Sequence, residues 1–253
     1  MTTSHGLLPS ESTMPEATDE LLVTWQHPES RRYHAVGMLL RTPDGQYRFR
    51  YLAEARSLIG FRPFLGFSEL GRDYASPHLF PIFAERVLDK ARPDRITLYE
   101  ALALVEGAGP MEFLARSGGR RAGDRIQLLA VPQVHADRTS CVFLVHGVRY
   151  LEGADLAIDQ LAPGEALELE PEPENPIDSD AVLVTRGGTK LGWVPNPLLP
   201  YVRAVMSTGD ARLHVVRANP RELGHHMRLL VQLEGTVPVG YATPWESALT
   251  QSA

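Results

Sequence analysis

Apolar and polar residues alternate over several short segments of the chain, which is the pattern of β-strands with one buried face. In the first half the alternation predicts strands over residues 21–27, 33–41, 46–52 and 125–131. In the second half it predicts strands over residues 141–146, 165–169, 181–185, 190–194, 212–216 and 228–234. Strands at such short spacing, with one or two helices among them, are typical of a small, partly closed β-barrel.

Helices are predicted where apolar residues recur at helical spacing behind capping signals. Ser76 and Pro77 form an N-cap and first turn, and Thr97 with Glu100 forms a capping box. The predicted helices cover residues 77–92, 97–105, 110–116 and 197–206. Together with the strands, they predict the fold class α+β.

The predicted elements divide the chain into two domains. Residues 21–131 are predicted to form a small α+β domain, and residues 140–235 a β-barrel domain with one or two helices. Residues 132–139 are predicted to be the linker between them. The ends, residues 1–20 and 236–253, are predicted to be tails, and the Ser-, Thr-, Pro- and Glu-rich first tail to be disordered.

Composition is that of a globular protein outside membranes. The 253 residues are 43% apolar and 22% charged, and no apolar run approaches the ~20 residues that cross a bilayer. The first residues lack the basic start and apolar block of a signal peptide. Cys141 is the single cysteine, so an internal disulfide is excluded. A cytoplasmic protein without membrane contact is the expectation.

The net charge of −6 is unevenly distributed. Residues 1–140 hold 17 basic and 17 acidic side chains, so the whole net charge falls on residues 141–253. An acidic domain has no broad attraction for nucleic acid. Any contact of this domain with nucleic acid must therefore be made at a small pocket.

Three motifs in the second half carry side chains suited to a nucleic-acid strand. Arg149 and Tyr150 follow a predicted strand, and a guanidinium can grip a phosphate while a phenol stacks on a base. An edge arginine paired with a carboxylate beside a core tyrosine is the alternative. Asn175-Pro176-Ile177-Asp178 is a turn that needs no ligand to form. Lys190 and Trp193 flank Gly192, and Trp193 is either a stacking surface or a core residue.

In order along the chain, these motifs resemble the HIRAN domain. The resemblance covers residues 140–235 and rests on His146-Gly147-Val148-Arg149-Tyr150, Glu174 to Val182 and Lys190-Leu191-Gly192-Trp193-Val194-Pro195. That family occurs in helicase-like DNA-repair proteins and as a separate bacterial domain. It binds single-stranded DNA and favours a free 3′ end.

The resemblance implies a role for each motif residue. Arg149 and Tyr150 would hold the terminal nucleotide, and Lys190 and Trp193 would flank the strand. In the Asn175 turn, the carboxylate of Asp178 would accept a hydrogen bond from the 3′ hydroxyl. The chain departs from the family at two positions, where Ile177 replaces a frequent aromatic residue and Pro171 a frequent arginine. The acidic run from Glu165 to Glu174 is interpreted as a solvated strand face.

The first half resembles the small N-terminal subdomain of HipA-type toxin kinases. The resemblance spans residues 21–131 and rests on Val36-Gly37, Phe80 to Ala84, and Pro110 to Arg116 followed by Gly118 to Asp124. No kinase core follows it, so kinase activity is not implied. What it implies is a scaffold that packs on other proteins, and hence a candidate protein partner.

The sequence gives little support for a phosphate-binding loop, a metal site or a catalytic nucleophile. The Gly118–Gly123 loop lacks the lysine and hydroxyl of a P-loop, so a turn with solvated arginines is favoured over a weak phosphate contact. His214, His225 and His226 lack the spacing of metal ligands, and Cys141 lies in an apolar strand. We therefore expect no catalytic residue, metal or cofactor. The predicted function is non-catalytic binding of single-stranded DNA, and the alternative is an adaptor in a toxin–antitoxin or defence assembly.

Overall fold

The computed structural model describes residues 19–89, 91–121 and 123–245, which form two antiparallel sheets with few helices. The first sheet has the order β4-β3-β2-β1-β5. Its strands are β1 (Glu20–Gln26), β2 (Tyr33–Arg41), β3 (Tyr47–Tyr51), β4 (Tyr74–Ser76) and β5 (Ile126–Ala130). Beside it lie the helices α1 (Pro81–Ala84), α2 (Arg95–Ala101) and α3 (Pro110–Ser117).

The second sheet has the order β10-β9-β8-β11-β12-β7-β6. Its strands are β6 (Gln133–His135), β7 (Arg138–Leu144), β8 (Ala166–Pro171), β9 (Val182–Arg186), β10 (Thr189–Trp193), β11 (Arg212–Ala218) and β12 (Leu229–Thr236). The helices α4 (Ala154–Ile158) and α5 (Leu199–Ser207) accompany it. His146, just beyond β7, pairs with Trp193 of β10 and closes the sheet into a small barrel, as the strand spacing predicts.

The two sheets share part of one core. In β1, Leu21 and Val23 face an aromatic cluster that contains Phe49 and Phe83, whereas Leu22 joins the buried cluster of the barrel. Met38, Leu129 and Val131 join the barrel cluster as well. A strand buried on both faces must be apolar at successive positions, and Leu21, Leu22 and Val23 meet that requirement.

The predicted linker and C-terminal tail are wrong in part. Residues 132–139 hold β6 and the start of β7, which form a hairpin because Ala136 and Asp137 both adopt positive φ. After β12, the side chains of Val237 and Trp245 are buried in the barrel core. These residues show no apolar periodicity, so a pattern-based prediction misses them. Residues 1–18 and 246–253 of the predicted tails lie outside the described residues.

Two predicted helices are shorter than expected. The helix over residues 77–92 is reduced to α1, because Ser76 pairs with Tyr47 as part of β4 and Phe80 packs on Phe67 with ring centroids 5.0 Å apart. Helix α2 begins after Asp94, not at the Thr97 capping box, and Ala103 with φ of 53° follows its end. The short helices over residues 110–116 and 197–206 are confirmed as α3 and α5.

Candidate nucleic-acid interface

The turn that closes the barrel carries two exposed side chains. Gly147 adopts φ of 76° and turns the chain from the strand direction into a 3₁₀ turn over Val148–Tyr150. Val148 is buried, while Arg149 is exposed and Tyr150 is 68% exposed. One buried residue therefore anchors the turn, and the next two project into solvent.

Arg149 and Tyr150 contact each other and no carboxylate in the described part of the chain. The Arg149 guanidinium carbon lies 4.5 Å from the centroid of the Tyr150 ring, and an N–H of Arg149 donates to the Tyr150 hydroxyl. Among residues 19–89, 91–121 and 123–245, Arg149 forms no ion pair. The alternative of an arginine paired with a carboxylate beside a core tyrosine is therefore wrong for this turn.

Trp193 lies directly behind this turn. The backbones of His146 and Trp193 exchange two hydrogen bonds, of 2.9 and 2.8 Å. A Cβ on Gly147 would stand 2.4 Å from Cε3 of Trp193, so only glycine lets the turn approach the indole this closely. The indole at the end of β10 is half-buried against the turn, which combines the two alternatives considered for Trp193.

The carboxylate of Glu172 organises three of the predicted site residues. Oε1 lies 2.8 Å from Nζ of Lys190, and Oε2 accepts hydrogen bonds from Nε1 of Trp193 at 2.8 Å and Nδ2 of Asn175 at 2.7 Å. Burial raises the pKa of Glu172, but these hydrogen bonds outweigh it, and the pKa lies below its usual value. Glu172 therefore stays charged and fixes the indole, the ammonium and the loop amide.

The Asn175 loop connects Glu172 to Asp178. Oδ1 of Asn175 accepts hydrogen bonds from the backbone N–H groups of Ile177 at 3.0 Å and Asp178 at 3.1 Å, so the segment is an Asx-turn. Ile177 is 66% exposed at its tip. Asn175 thus lies between the group around Trp193 and Asp178.

Asp178 itself faces the first sheet. Its side chain is 6% exposed, and Oδ2 accepts hydrogen bonds from Arg32 at 2.9 Å and from Asn196 at 2.7 Å. Oδ1 accepts the backbone N–H of Asp180 at 3.1 Å. Asp178 therefore fastens its loop to the turn between β1 and β2. No contact in the described residues joins Asp178 to Arg149 or Tyr150, and its role toward a 3′ hydroxyl stays a prediction.

A cleft of about 550 Å³ opens between the sheets at Asp178. Its lining includes Arg32, Asp180, Asn196, Arg203 and Trp245. The two arginines are paired with the aspartates, Arg32 with Asp178 and Arg203 with Asp180. The charges on its walls are thus largely compensated by each other.

On the other side of the closing bridge, His146 meets the first sheet. Its ring centroid lies 5.7 Å from that of Tyr33, and its Nε2 lies 2.9 Å from Nε2 of Gln127. Burial, together with the smaller effects of the positive charges of Arg120 and His226, lowers the pKa of His146 to about 3. The imidazole is therefore neutral and supports the turn that carries Arg149.

Sequence reasoning missed several residues of this region. Glu172 was assigned to a solvated strand face, because the lysine and the indole that it binds lie two strands further along the chain. Of its neighbours in the run, Glu165 pairs with Arg186, and the single hydroxyl of Thr185 lies 2.6 Å from Oε1 of Glu170 and 3.3 Å from Oε2 of Glu168. Arg32, Tyr33 and Asn196 were missed because they meet the site only in the folded chain, and no local signal identifies them.

Two further properties concern the described residues alone. Among residues 19–89, 91–121 and 123–245, no group of three or more His, Cys, Asp or Glu side chains could hold a metal ion. In the same ranges no helix combines the length and apolar character needed to cross a bilayer.

Comparison with known proteins finds similarity in the barrel. Residues 139–236 match the model of the HIRAN domain. The HIRAN domain of human HLTF is 22% identical over 39% of this chain and 74% of its own, with a TM-score of 0.29. A Lactobacillus plantarum protein is 20% identical over 38% of this chain and 98% of its own, with a TM-score of 0.28.

The similarity of the barrel to the HIRAN domain rests on the family model. No match was found among curated proteins. The family match begins at residue 139, so the resemblance of residues 21–131 to a HipA-type subdomain stays a prediction.

Proposed function

We propose that the barrel binds single-stranded DNA, with a preference for a free 3′ end, and that the chain performs no catalysis. The observation that carries the proposal is the exposed Arg149–Tyr150 pair, which has no carboxylate partner in the described residues and belongs to the turn that approaches Trp193 at Gly147. A phenol and an indole offer stacking surfaces for bases, and an unpaired guanidinium offers two donors to a phosphate.

The arrangement is preorganised for this task. Glu172 holds the indole N–H of Trp193 and the ammonium of Lys190 in place, and Gly147 sets the distance of the turn from the indole. Few side chains need to be ordered on binding, which reduces the entropic cost of association. Arg186 and Lys190, which pair with Glu165 and Glu172 of the acidic run, also limit its repulsion of a phosphate chain.

The preference for a 3′ end is assigned to Asp178. A carboxylate repels an internal phosphate and accepts a hydrogen bond from a free hydroxyl. Arg32 and Asn196 already donate to Oδ2, so a terminal hydroxyl must displace one of them or share Oδ1 with the Asp180 N–H. The proposed end recognition therefore requires either release of Arg32 or Asn196 from Oδ2, or a shared contact at Oδ1.

The test measures binding of labelled single strands that end in a 3′ hydroxyl or a 3′ phosphate. We expect wild type to prefer the hydroxyl, and Tyr150→Ala to weaken binding of both strands by ~1–3 kcal/mol, the value of one stacked base. Leu156→Ala is the matched control, because Leu156 is 64% exposed in the same domain. Tyr150→Ala binding as tightly as the control would refute the site, and equal binding of both ends would refute the end preference.

A further inference from the structure

The loop after α3 places an unpaired cation beside the barrel. Gly118 and Gly119 both adopt positive φ, of 71° and 54°, and turn the chain toward Arg120. The loop is held by Arg86, whose guanidinium donates to the Gly119 carbonyl at 2.8 Å and pairs with Asp124. Arg120 is exposed and forms no ion pair in the described part of the chain, whereas Arg121 pairs with Glu85.

Arg120 is aimed at the junction between the two sheets. Its guanidinium carbon lies 5.8 Å from the centroid of the Tyr33 ring. Tyr33 in turn contacts His146, whose backbone pairs with Trp193. One chain of contacts therefore leads from Arg120 across Tyr33 and His146 to the indole of the proposed site.

The charges around Tyr33 support this placement. Burial raises the pKa of the Tyr33 hydroxyl, while the positive charges of Arg120, Arg31 and Arg149 act to lower it. The positive charges of both halves of the chain therefore act on one hydroxyl, since Arg31 and Arg120 belong to the first half and Arg149 to the barrel. The carboxylate of Asp124 acts on it in the opposite direction and is itself paired with Arg86.

We infer that the first half of the chain supplies the cationic part of the DNA site, with Arg120 contacting a phosphate of the strand whose bases stack on Tyr150 and Trp193. This inference rests on the proposed function and extends it across the domain boundary. The barrel half carries the net negative charge of the chain. Under this inference the positive charge that contacts the phosphate comes from the first sheet, with which the barrel shares a core. The strand would then cross the junction, passing over the Tyr33 ring.

The test measures the affinity of the full chain for a labelled single strand of about 16 nucleotides, the upper site size of such barrels, as a function of salt. Each lost phosphate contact lowers the magnitude of the salt slope by about 0.7 for single strands. We expect Arg120→Ala to lower the slope by about this amount and the affinity at low salt by about fivefold. Arg120→Lys keeps the charge and should keep the slope.

The controls separate this inference from the proposed function. Arg121→Ala removes the neighbouring, carboxylate-paired arginine and should leave the slope unchanged. Tyr150→Ala should lower the affinity with the slope retained. If Tyr150→Ala weakens binding but Arg120→Ala has the wild-type slope, the composite site is wrong and the proposed function stands. If Arg121→Ala acts like Arg120→Ala, a diffuse charge effect replaces the inference, and if wild type binds no strand, both proposals fail.

Discussion

At the scale of single residues, His146 links the stability of the junction to pH. Its pKa is held at about 3 in the folded chain, against an ordinary value of 6.5, because burial disfavours the charged ring. Between these two values the unfolded chain binds a proton that the folded chain does not. The contribution of neutral His146 to the free energy of unfolding is therefore fully present above pH 6.5 and decreases as the pH falls from 6.5 toward 3.

His146→Gln tests this dependence. The amide keeps a polar partner for Gln127 and does not titrate. The free energy of unfolding of wild type should fall relative to that of the variant by up to ~1.4 kcal/mol per pH unit between pH 6 and 4. Urea unfolding at several pH values measures it. His34 and His226 also have lowered pKa values, but they are common to both proteins and cancel in the difference. Parallel pH profiles would contradict the assignment.

At the scale of elements, local patterns predicted most strands and failed where tertiary contacts decide. The strand predicted over residues 33–41 coincides with β2, whose apolar residues are buried on both faces, Met38 in the barrel cluster and Leu39 in the aromatic cluster. The helix expected over residues 77–92 yields to a sheet pairing of Ser76, which no local signal reveals. The exposed residues of the Arg149 turn were predictable from a motif, whereas Arg120 and Arg32 reach the barrel only through folding.

The segment after β12 contributes Trp245 to the barrel core, so truncation of this side chain should destabilise the fold. Its ring is 3% exposed in the barrel core and also lines the cleft, so Trp245→Ala leaves a large cavity. Such a truncation costs about 3–5 kcal/mol of the free energy of unfolding. Val239 of the same segment is 98% exposed, and Val239→Ala should change stability by less than ~0.5 kcal/mol. Denaturant unfolding of both variants measures the difference, and similar losses would show that the segment contributes no core.

At the scale of the whole molecule, the first sheet and the barrel behave in this structure as parts of one unit. They share the cluster that contains Leu22, Met38 and Leu129, and the ion pair of Arg32 with Asp178 crosses the junction. The geometry of the candidate site therefore depends on the first sheet. The Asp178 loop is bonded to the β1–β2 turn, and the Arg149 turn is supported by the contact of His146 with Tyr33. The division into two domains was predicted from the order of elements along the chain, and that order contains no information on shared burial.

The Arg32–Asp178 pair allows this coupling to be measured. Arg32→Ala leaves the 6% exposed carboxylate of Asp178 with two donors, Asn196 and one backbone N–H. We expect it to lower the free energy of unfolding by about 1–3 kcal/mol. This is less than the loss for a fully buried pair, because Arg32 is 39% exposed. Asp178→Asn keeps the size of the side chain and removes its charge. If the pair couples the two halves, the double variant loses about 1 kcal/mol less than the two single losses together.

The exposed pair of Arg72 with Glu69, at 62% and 65% exposure, is the matched control and should couple by less than ~0.5 kcal/mol. Additive losses at Arg32 and Asp178 would mean that this ion pair does not hold the barrel to the first sheet, and the shared apolar core would then be the connection between them.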